Sequence, residues 1–270
     1  MKKETNNFRQ YLINNHFAAN TIKSYMKAVE QYCSMYENCD AKSLDSYKQY
    51  LVKHHRPQTI NLRILSINKF LTYIGKGNLA LPLIKMQHLT FTDNIVSTKE
   101  YEYIKKKLLE EGDYKWFFMI WAMGASGARV SELLQIRIED ILHGSVELLS
   151  KGGKTRYIYF PRALRKAIAK WGVENGQTSG FLFTNNRGTP ITSRGFSLHL
   201  KTIAAKYGLD PATIHPHSFR HMYAKTFLNK RADIATLADI LGHESIKTTQ
   251  IYLRRSCSEQ KRIIDKIVTW

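Results

Sequence analysis

The stretch SVELLSKGGKTRYIYF, residues 145–160, interrupts a chain whose pattern is otherwise helical, and so it decides the fold class. Two runs rich in apolar and aromatic residues flank Gly152 and Gly153, which supply the turn of a predicted β-hairpin. A further short strand and loop are predicted from Phe181. Most other segments repeat their apolar residues at helical spacing. The sequence therefore predicts a mainly α-helical protein with a small β-sheet.

Three cationic residues lie on or beside the predicted turn: Lys151, Lys154 and Arg156. A lysine on a β-turn is normally just solvated. A hairpin tip with two lysines and an arginine can also reach into a DNA groove. Residue types alone leave both interpretations open.

Helices are predicted on both sides of the hairpin. They cover residues 98–111, 113–124, a run that starts near Ala128, 162–172, 193–207, 217–229, 234–241 and 259–268. Ser97 and Glu100 form a capping box where the first of these helices begins. Together with the hairpin, these helices predict an α+β domain over residues 97–270.

The amino-terminal part has helical periodicity only. Residues 1–76 contain four helical segments, and they predict a small all-α bundle. Gly75 and Gly77 then break the pattern. Residues 77–96 have no clear period and are predicted to be a linker between the two domains.

The charge balance points to a polyanionic partner. The 270 residues include 41 Lys and Arg against 22 Asp and Glu, a net charge of +19. Such an excess favours binding to nucleic acid or to an anionic membrane surface, although a solubilising surface charge is the simpler alternative. Because no apolar run approaches the ~20 residues that span a bilayer, nucleic acid is favoured and no membrane association is predicted.

The cysteines and the amino terminus predict a cytoplasmic protein. Cys33, Cys39 and Cys257 fit neither a disulfide framework nor a zinc site, which is typical of free thiols in a reducing compartment. No apolar stretch follows the first lysines, so no secretory signal is predicted.

Two short segments place arginine beside groups that could support phosphate chemistry. In GASGARVSELL, residues 124–134, Arg129 and Glu132 are three apart and share a helix face, as in an ordinary surface ion pair or in an oriented phosphate-binding arginine. In HPHSFRHMYA, residues 215–224, His217 and Arg220 share a face. His217 and His221 also have the spacing of metal ligands, but the glutamate of H-E-x-x-H is missing and no metal is predicted.

A third segment, LADILGHESIKTTQIYLRR, covers residues 237–255. Gly242 is predicted to end a helix, His243 follows it, and Tyr252 lies nine residues further on. With 15 tyrosines in the chain, spacing alone makes Tyr252 an ordinary core aromatic.

Taken in order, GARVSEL, SKGGKTR, PHSFRH and LGH followed by a tyrosine nine residues later resemble the successive motifs of the tyrosine recombinase, or phage integrase, family. The resemblance covers about residues 97–256. The segment NTIKSYMKAVEQY is similar to the four-helix, SAM-like core-binding domain of that family. Four motifs in the right order are far more specific than any one of them.

The resemblance implies a role for each motif residue. Arg129 and Arg220 would clamp the scissile phosphate, and Glu132 would support Arg129. His217 would act as general acid or base. The remaining implied roles are phosphate support by His243, nucleophilic attack by Tyr252 and protonation of the leaving 5′ oxygen by Lys151, with Lys154 as the alternative hairpin lysine.

The implied activity is site-specific recombination through a 3′-phosphotyrosyl intermediate, without metal or cofactor. The implied partners are double-stranded DNA and three further copies of the chain in a homotetramer on two DNA sites, with an accessory or directionality factor as an optional further partner. Ile263, Ile264, Ile267 and Val268 would form an apolar strip on a carboxy-terminal tail that docks in cis or in trans.

Two other classes remain as alternatives. A type IB topoisomerase shares much of this chemistry but acts as a monomer. A DNA-binding accessory protein descended from a recombinase would bind without cleaving. Replacing Tyr252 with phenylalanine separates enzyme from accessory protein, since only an enzyme would lose cleavage.

Overall fold

The computed structural model describes residues 2–85, 95–149, 155–185, 187–230, 233–243, 245–253 and 264–265. The chain divides into two compact units, Met1–His88 and Leu89–Trp270. Helices dominate both units in the described residues, and one two-stranded sheet lies in the second. The predicted fold class, mainly helical with a small sheet, is confirmed. The predicted limits of the two domains and of the linker stay a prediction.

The described residues of the amino-terminal unit form four α-helices and a short 3₁₀ turn. The helices are α1, Lys2–Asn14; α2, Ala19–Met35; α3, Ala41–His54; and α4, Pro57–Tyr73; the 3₁₀ turn is Gly77–Leu79. Asp40 caps α3 by accepting a hydrogen bond from the Ser43 backbone N–H at 2.8 Å. Proline at the first position of α4 suits a helix start, because that position has no intrahelical N–H bond to lose.

Aromatic and aliphatic side chains from all four helices fill the core of this unit. Tyr32 and Tyr47 are fully buried and meet edge to face, with ring centroids 5.2 Å apart. The chain after α4 folds back along it: the side-chain amides of Asn68 and Asn61 pair with the backbone of Leu81 and Ile84. The chain after α4 is therefore hydrogen bonded to this helix at least as far as Ile84.

The carboxy-terminal unit contains most of the elements. They are α5, Thr98–Glu110; α6, Tyr114–Ser126; α7, Val130–Leu133; α8, Ile138–His143; β1, Ser145–Leu149; β2, Thr155–Tyr159; α9, Arg162–Glu174; α10, Ser193–Lys206; α11, Pro216–Asn229; α12, Ile234–Leu241; α13, Ile246–Gln250; and a 3₁₀ turn, Ile251–Leu253. The predicted last helix, 259–268, lies outside the described residues except for 264–265.

The apolar helix α6 forms the centre of this unit and packs against α5, α9 and α11. Its sequence is apolar on every side, which is typical of a helix surrounded by others. Asp113 caps its start, and Gly127 ends it in the left-handed conformation, with φ of +61°. The Val96 backbone N–H donates a buried hydrogen bond of 2.5 Å to Ser218 Oγ, which ties the chain before α5 to α11.

The predicted hairpin is present as β1 paired antiparallel with β2, in a register that joins Ser145 to Tyr159 and Leu149 to Thr155. Side chains on β2 alternate between exposed and buried, so that Arg156 and Ile158 face inward. The turn, residues 150–154, lies outside the described residues.

The segment that starts at Phe181 differs from its prediction. It forms isolated bridges, Arg137 with Phe181 and Thr184 with Pro190, rather than a strand of the sheet. The Asn185 backbone N–H donates to the Thr189 carbonyl at 2.7 Å, so the chain pairs with itself across a tight loop. None of the helices in the described residues is long and apolar enough to cross a membrane.

Candidate active site

Arg220 on α11 joins two helix ends that are distant in sequence. Its Nη1 donates to the Gly127 carbonyl at 2.8 Å, and its Nη2 donates to the Leu241 carbonyl at 2.6 Å. Helices α6 and α12 both end at a left-handed glycine, and the last carbonyls of a helix have no partner within it. Arg220 satisfies one such carbonyl from α12 and the Gly127 carbonyl just beyond α6, and it is itself only 4% exposed.

His243 follows the end of α12 and accepts a hydrogen bond from Arg220. The distance from Arg220 Nη2 to His243 Nε2 is 3.1 Å, and His243 Nδ1 lies 2.7 Å from Thr249 Oγ1 on α13. Since a guanidinium only donates, Nε2 is the unprotonated nitrogen and Nδ1 carries the proton. Burial, together with the positive charge of Arg220, lowers the pKa of His243 to about 4. His243 is therefore a neutral imidazole at physiological pH.

Tyr252 lies beside this pair, in the 3₁₀ turn after α13. Its ring is stacked near that of His243, with centroids 5.9 Å apart, and meets His221 edge-on at 4.8 Å. Its side chain also interacts electrostatically with Arg220, which opposes the lowering of the pKa of that guanidinium by burial. The ring belongs to a small apolar cluster with side chains of α11 and α12, among them Ala224, Leu237 and Leu241. The tyrosine is thus held by packing, close to one guanidinium.

Arg129 and Glu132 form the ion pair that their spacing predicts. Arg129 Nη1 donates to Glu132 Oε1 at 2.9 Å, and the Arg129 backbone N–H donates to Oε2 at 2.7 Å. The Glu132 side chain is only 13% exposed, whereas that of Arg129 is 38% exposed. Arg129 Nη2 also reaches the Gly242 carbonyl at 3.3 Å. This is a partly buried pair whose arginine still meets solvent.

The interpretation in which Arg156 extends from the hairpin into a DNA groove is wrong. Arg156 is 5% exposed, and its Nη2 donates to Glu132 Oε2 at 2.7 Å. Its Nη1 donates to the carbonyls of Ile240 and Leu241 at the end of α12. Burial lowers the pKa of Arg156 to about 10, and the attraction of Glu132 opposes that shift. The alternation along β2, which places Arg156 on the same face as the apolar Ile158, was the signal for this position.

Arg129, Arg156, Arg220 and Glu132 together make up what we call the arginine cluster. Three guanidiniums face one carboxylate, so positive charges exceed negative ones by two. Burial lowers the pKa of Arg220, and repulsion from Arg129 lowers it further. A dense group of cations with a partly exposed arginine at its edge is a site for an oxyanion such as phosphate.

The other histidines of α11 occupy different positions. His217 is exposed one turn before Arg220. Electrostatic repulsion from His217 helps to lower the pKa of both His215 and His221. His215 caps the helix, its Nδ1 accepting from the Ser218 backbone N–H at 3.2 Å. His221 is half-buried against Tyr252, and burial lowers its pKa to about 4.

Of the predicted site residues, Arg129, Glu132, Arg220, His243 and Tyr252 thus meet in one place. His217 lies on the same helix as Arg220 but is exposed. Lys151 and Lys154 lie outside the described residues. In the part of the chain that the structure describes, no group of three or more His, Cys, Asp or Glu side chains is arranged to hold a metal ion.

Comparison with known proteins places this geometry in a family. The family model described as "Phage integrase family" matches residues 94–259, more than half of the chain. Tyrosine recombinase XerC of Lactobacillus delbrueckii subsp. bulgaricus is 36% identical over 137 residues, which cover 47% of this chain and 46% of that protein. The matched part thus spans about half the length of that relative. Tyrosine recombinase XerC of Pediococcus pentosaceus is 26% identical over 274 residues, with 91% of each chain covered.

A solved structure has the same fold over nearly the whole chain. The Tn1549 transposon integrase, in complex with transposon right end DNA, superimposes with a TM-score of 0.69 at 16% identity, covering 98% of this chain and 99% of that one. At this identity the likeness establishes the fold alone. The family model, which spans every motif from Arg129 to Tyr252, establishes more: this chain belongs to the phage integrase family of tyrosine recombinases.

Proposed function

We propose that this chain is a site-specific DNA recombinase that cleaves and rejoins DNA strands through a 3′-phosphotyrosyl bond to Tyr252. One observation carries the proposal. Arg220 donates to His243 and interacts with the side chain of Tyr252, and the tertiary fold brings the motif that contains Arg220 together with the motif that contains His243 and Tyr252. A tyrosine held against a guanidinium in a cationic cluster is arranged to attack a phosphodiester.

The arginines supply the electrostatic part of the reaction. Attack on phosphorus builds negative charge on the two non-bridging oxygens, and fixed guanidiniums stabilise that charge. In this proposal Arg129 and Arg220 bind those oxygens, and Glu132 holds Arg129 in place. Arg129 keeps 38% of its side chain exposed, so it is accessible to a phosphate from solvent.

The remaining residues handle protons. As the Tyr252 oxygen bonds to phosphorus, the tyrosine loses its proton and the bond from phosphorus to the 5′ oxygen breaks. We assign proton transfer at the tyrosine to His217 as general acid or base, and protonation of the leaving 5′ oxygen to Lys151, with Lys154 as the alternative. His243 supports the phosphate position through its bond to Arg220. Rejoining reverses these steps without ATP, because the phosphotyrosyl link conserves the energy of the phosphodiester.

The partners follow from the charge and from the relatives. A net charge of +19 suits double-stranded DNA, and the Tn1549 integrase was solved with DNA. In this proposal four copies act on two DNA sites in the cytoplasm, with an accessory or directionality factor where one direction is favoured. The reaction would then integrate, excise or resolve DNA elements.

The test is to capture the covalent intermediate without knowing the target site. The wild-type chain and the Tyr252→Phe variant are expressed, cells are lysed in strong denaturant, and DNA that remains attached to the purified chain is sequenced. DNA attached to the wild type alone, with sharp ends at one sequence, is the expected result. DNA bound by the folded wild type but never attached to it, even on a nicked duplex that blocks rejoining, would favour the accessory-protein class instead.

A further inference from the structure

Arg156 is a buried cation to which the proposed mechanism gives no role. It lies on β2, and its guanidinium is enclosed by the ends of two other elements, α7 and α12. Its Nε has no hydrogen-bond partner among the described residues. A buried arginine with an incompletely satisfied guanidinium is poor support for stability, since removing the charge from water costs more than an imperfect set of bonds returns. Stability alone therefore does not explain why a charge is buried here.

The contacts of Arg156 place it behind both halves of the site. One of its nitrogens binds Glu132 Oε2, the same oxygen that accepts from the Arg129 backbone N–H. The other binds the carbonyls of Ile240 and Leu241 at the end of α12, directly before Gly242 and His243. Glu132 sets the direction of Arg129, and the end of α12 sets the direction of His243. A single guanidinium therefore links Glu132 to the end of α12 and fixes the distance between them.

Arg156 also determines the net charge of the cluster. Without it, Glu132 would neutralise Arg129, and only Arg220 would remain in excess. With it, the carboxylate is shared between two cations, and Arg129 keeps more of its attraction for an anion. Guanidiniums bound to opposite oxygens of one carboxylate lie within about 8 Å of each other, close enough to interact in a partly buried site.

We propose that Arg156 is a positioning residue for the recombination chemistry. It orients Arg129 through Glu132, orients His243 through the end of α12, and maintains the positive field at the phosphate. The proposal rests on the proposed function, because it assigns Arg156 to the phosphate site of that reaction. Arg156 does not touch the substrate, since its side chain is buried.

The chain offers a matched control in Arg165 on α9. Its guanidinium also satisfies a carbonyl at the end of a helix, donating to Leu142 of α8 through Nε at 3.1 Å and Nη2 at 2.8 Å. It likewise packs against a left-handed glycine, Gly144, as Arg156 packs against Gly242. Among the described residues Arg165 forms no ion pair with a carboxylate, and it takes no part in the arginine cluster. Replacing Arg165 therefore measures the effect of losing an arginine that bonds a helix end, without any change to the arginine cluster.

The experiment compares single-turnover cleavage by full-length variants. The substrate is a nicked duplex carrying the sequence that is recovered with the wild-type chain, on which the covalent complex accumulates. Arg156→Met, Arg156→Lys, Arg156→Ala and Arg165→Ala are each measured at saturating protein and normalised to the folded fraction. Arg156→Ala and Arg165→Ala are also assayed with millimolar guanidinium chloride against equal sodium chloride.

We expect Arg156→Met to slow cleavage by at least about tenfold while DNA affinity changes by less than about twofold, because most phosphate contacts lie elsewhere. Arg156→Lys keeps the charge and should fall between Arg156→Met and the wild type. Guanidinium should restore part of the rate to Arg156→Ala and leave Arg165→Ala unchanged.

A purely structural role would lower the folded fraction and the melting temperature without changing the normalised rate. Wild-type rates in Arg156→Met and Arg156→Ala would therefore overturn the proposal, and so would equal slowing in Arg165→Ala. Failure of the wild type itself to form a covalent complex would be a different result: it would overturn the proposed function, and this proposal with it.

Discussion

Replacing Gly242 with alanine should destabilise the carboxy-terminal unit far more than the same change at Gly112. Both glycines end a helix in the left-handed region, with φ of +62° and +73°. A side chain in that region costs roughly 1–2 kcal/mol at either position. A Cβ at Gly112 would meet no atom within 4 Å, whereas at Gly242 it would lie 2.5 Å from Arg156 Cδ. The difference between the two variants therefore isolates the contact with Arg156.

The size of that difference follows from what Arg156 must give up. To make room for a methyl group it has to move away from Glu132, and a hydrogen bond to a charged group contributes about 1.5–3 kcal/mol. We expect Gly112→Ala to lower the free energy of unfolding by about 1–2 kcal/mol and Gly242→Ala by about 2.5–5 kcal/mol. Replacing glycine with alanine lowers the conformational entropy of the unfolded chain by the same amount at both positions, so this contribution cancels when the two variants are compared.

Urea unfolding followed by tryptophan fluorescence measures these values directly. All four tryptophans lie in the carboxy-terminal unit, so the signal reports that unit alone. In an Arg156→Ala background the clash is gone, and Gly242→Ala should then cost no more than Gly112→Ala. Equal costs for the two glycine variants in the wild-type background would refute the close contact between Gly242 and Arg156.

Two further predictions concern the same unit. The pKa of both His221 and His243 is lowered to about 4 in the folded chain, so the unfolded chain binds more protons below pH 6.5. The free energy of unfolding should therefore fall by roughly 1 kcal/mol per histidine for each pH unit as the pH drops toward 5. Urea titrations at several pH values measure this slope, and His221→Asn should reduce it. A free energy of unfolding that does not change with pH would contradict the prediction. Ser218→Ala leaves the buried Val96 N–H without its acceptor and should cost about 1–3 kcal/mol. Ser197→Ala on α10 removes a half-buried hydroxyl that bonds the Ser193 carbonyl of its own helix, and it should cost under about 0.5 kcal/mol. Equal melting temperatures for the two serine variants would count against the buried bond.

Local pattern was sufficient to predict much of the fold. The four helices of the amino-terminal unit and the hairpin follow from apolar period and from glycine and proline placement, because those signals act within a few residues. The pair of Arg129 and Glu132 follows for the same reason, since residues three apart in a helical turn are neighbours. The spacing also predicted that Gly242 ends a helix.

The rest of the site depends on tertiary contacts that no local spacing encodes. The ends of α6 and α12 provide the carbonyls that hold Arg220, and these helices are far apart in sequence. Arg156 was interpreted as exposed because charged residues beside a turn usually face solvent. Its burial requires Glu132 on one side and the end of α12 on the other, and only the folded chain shows both partners.

The most direct test of the central claim identifies the amino acid that carries the DNA. The captured covalent complex is digested with nuclease and then with trypsin, and the peptides are analysed by mass spectrometry. Cleavage after Lys247 and Arg254 releases residues 248–254, TTQIYLR, which contains Tyr252 as its one tyrosine. We predict that this peptide carries a nucleotide through a 3′-phosphate on Tyr252. A nucleotide on any other residue, or attached DNA in the Tyr252→Phe variant, would contradict the account.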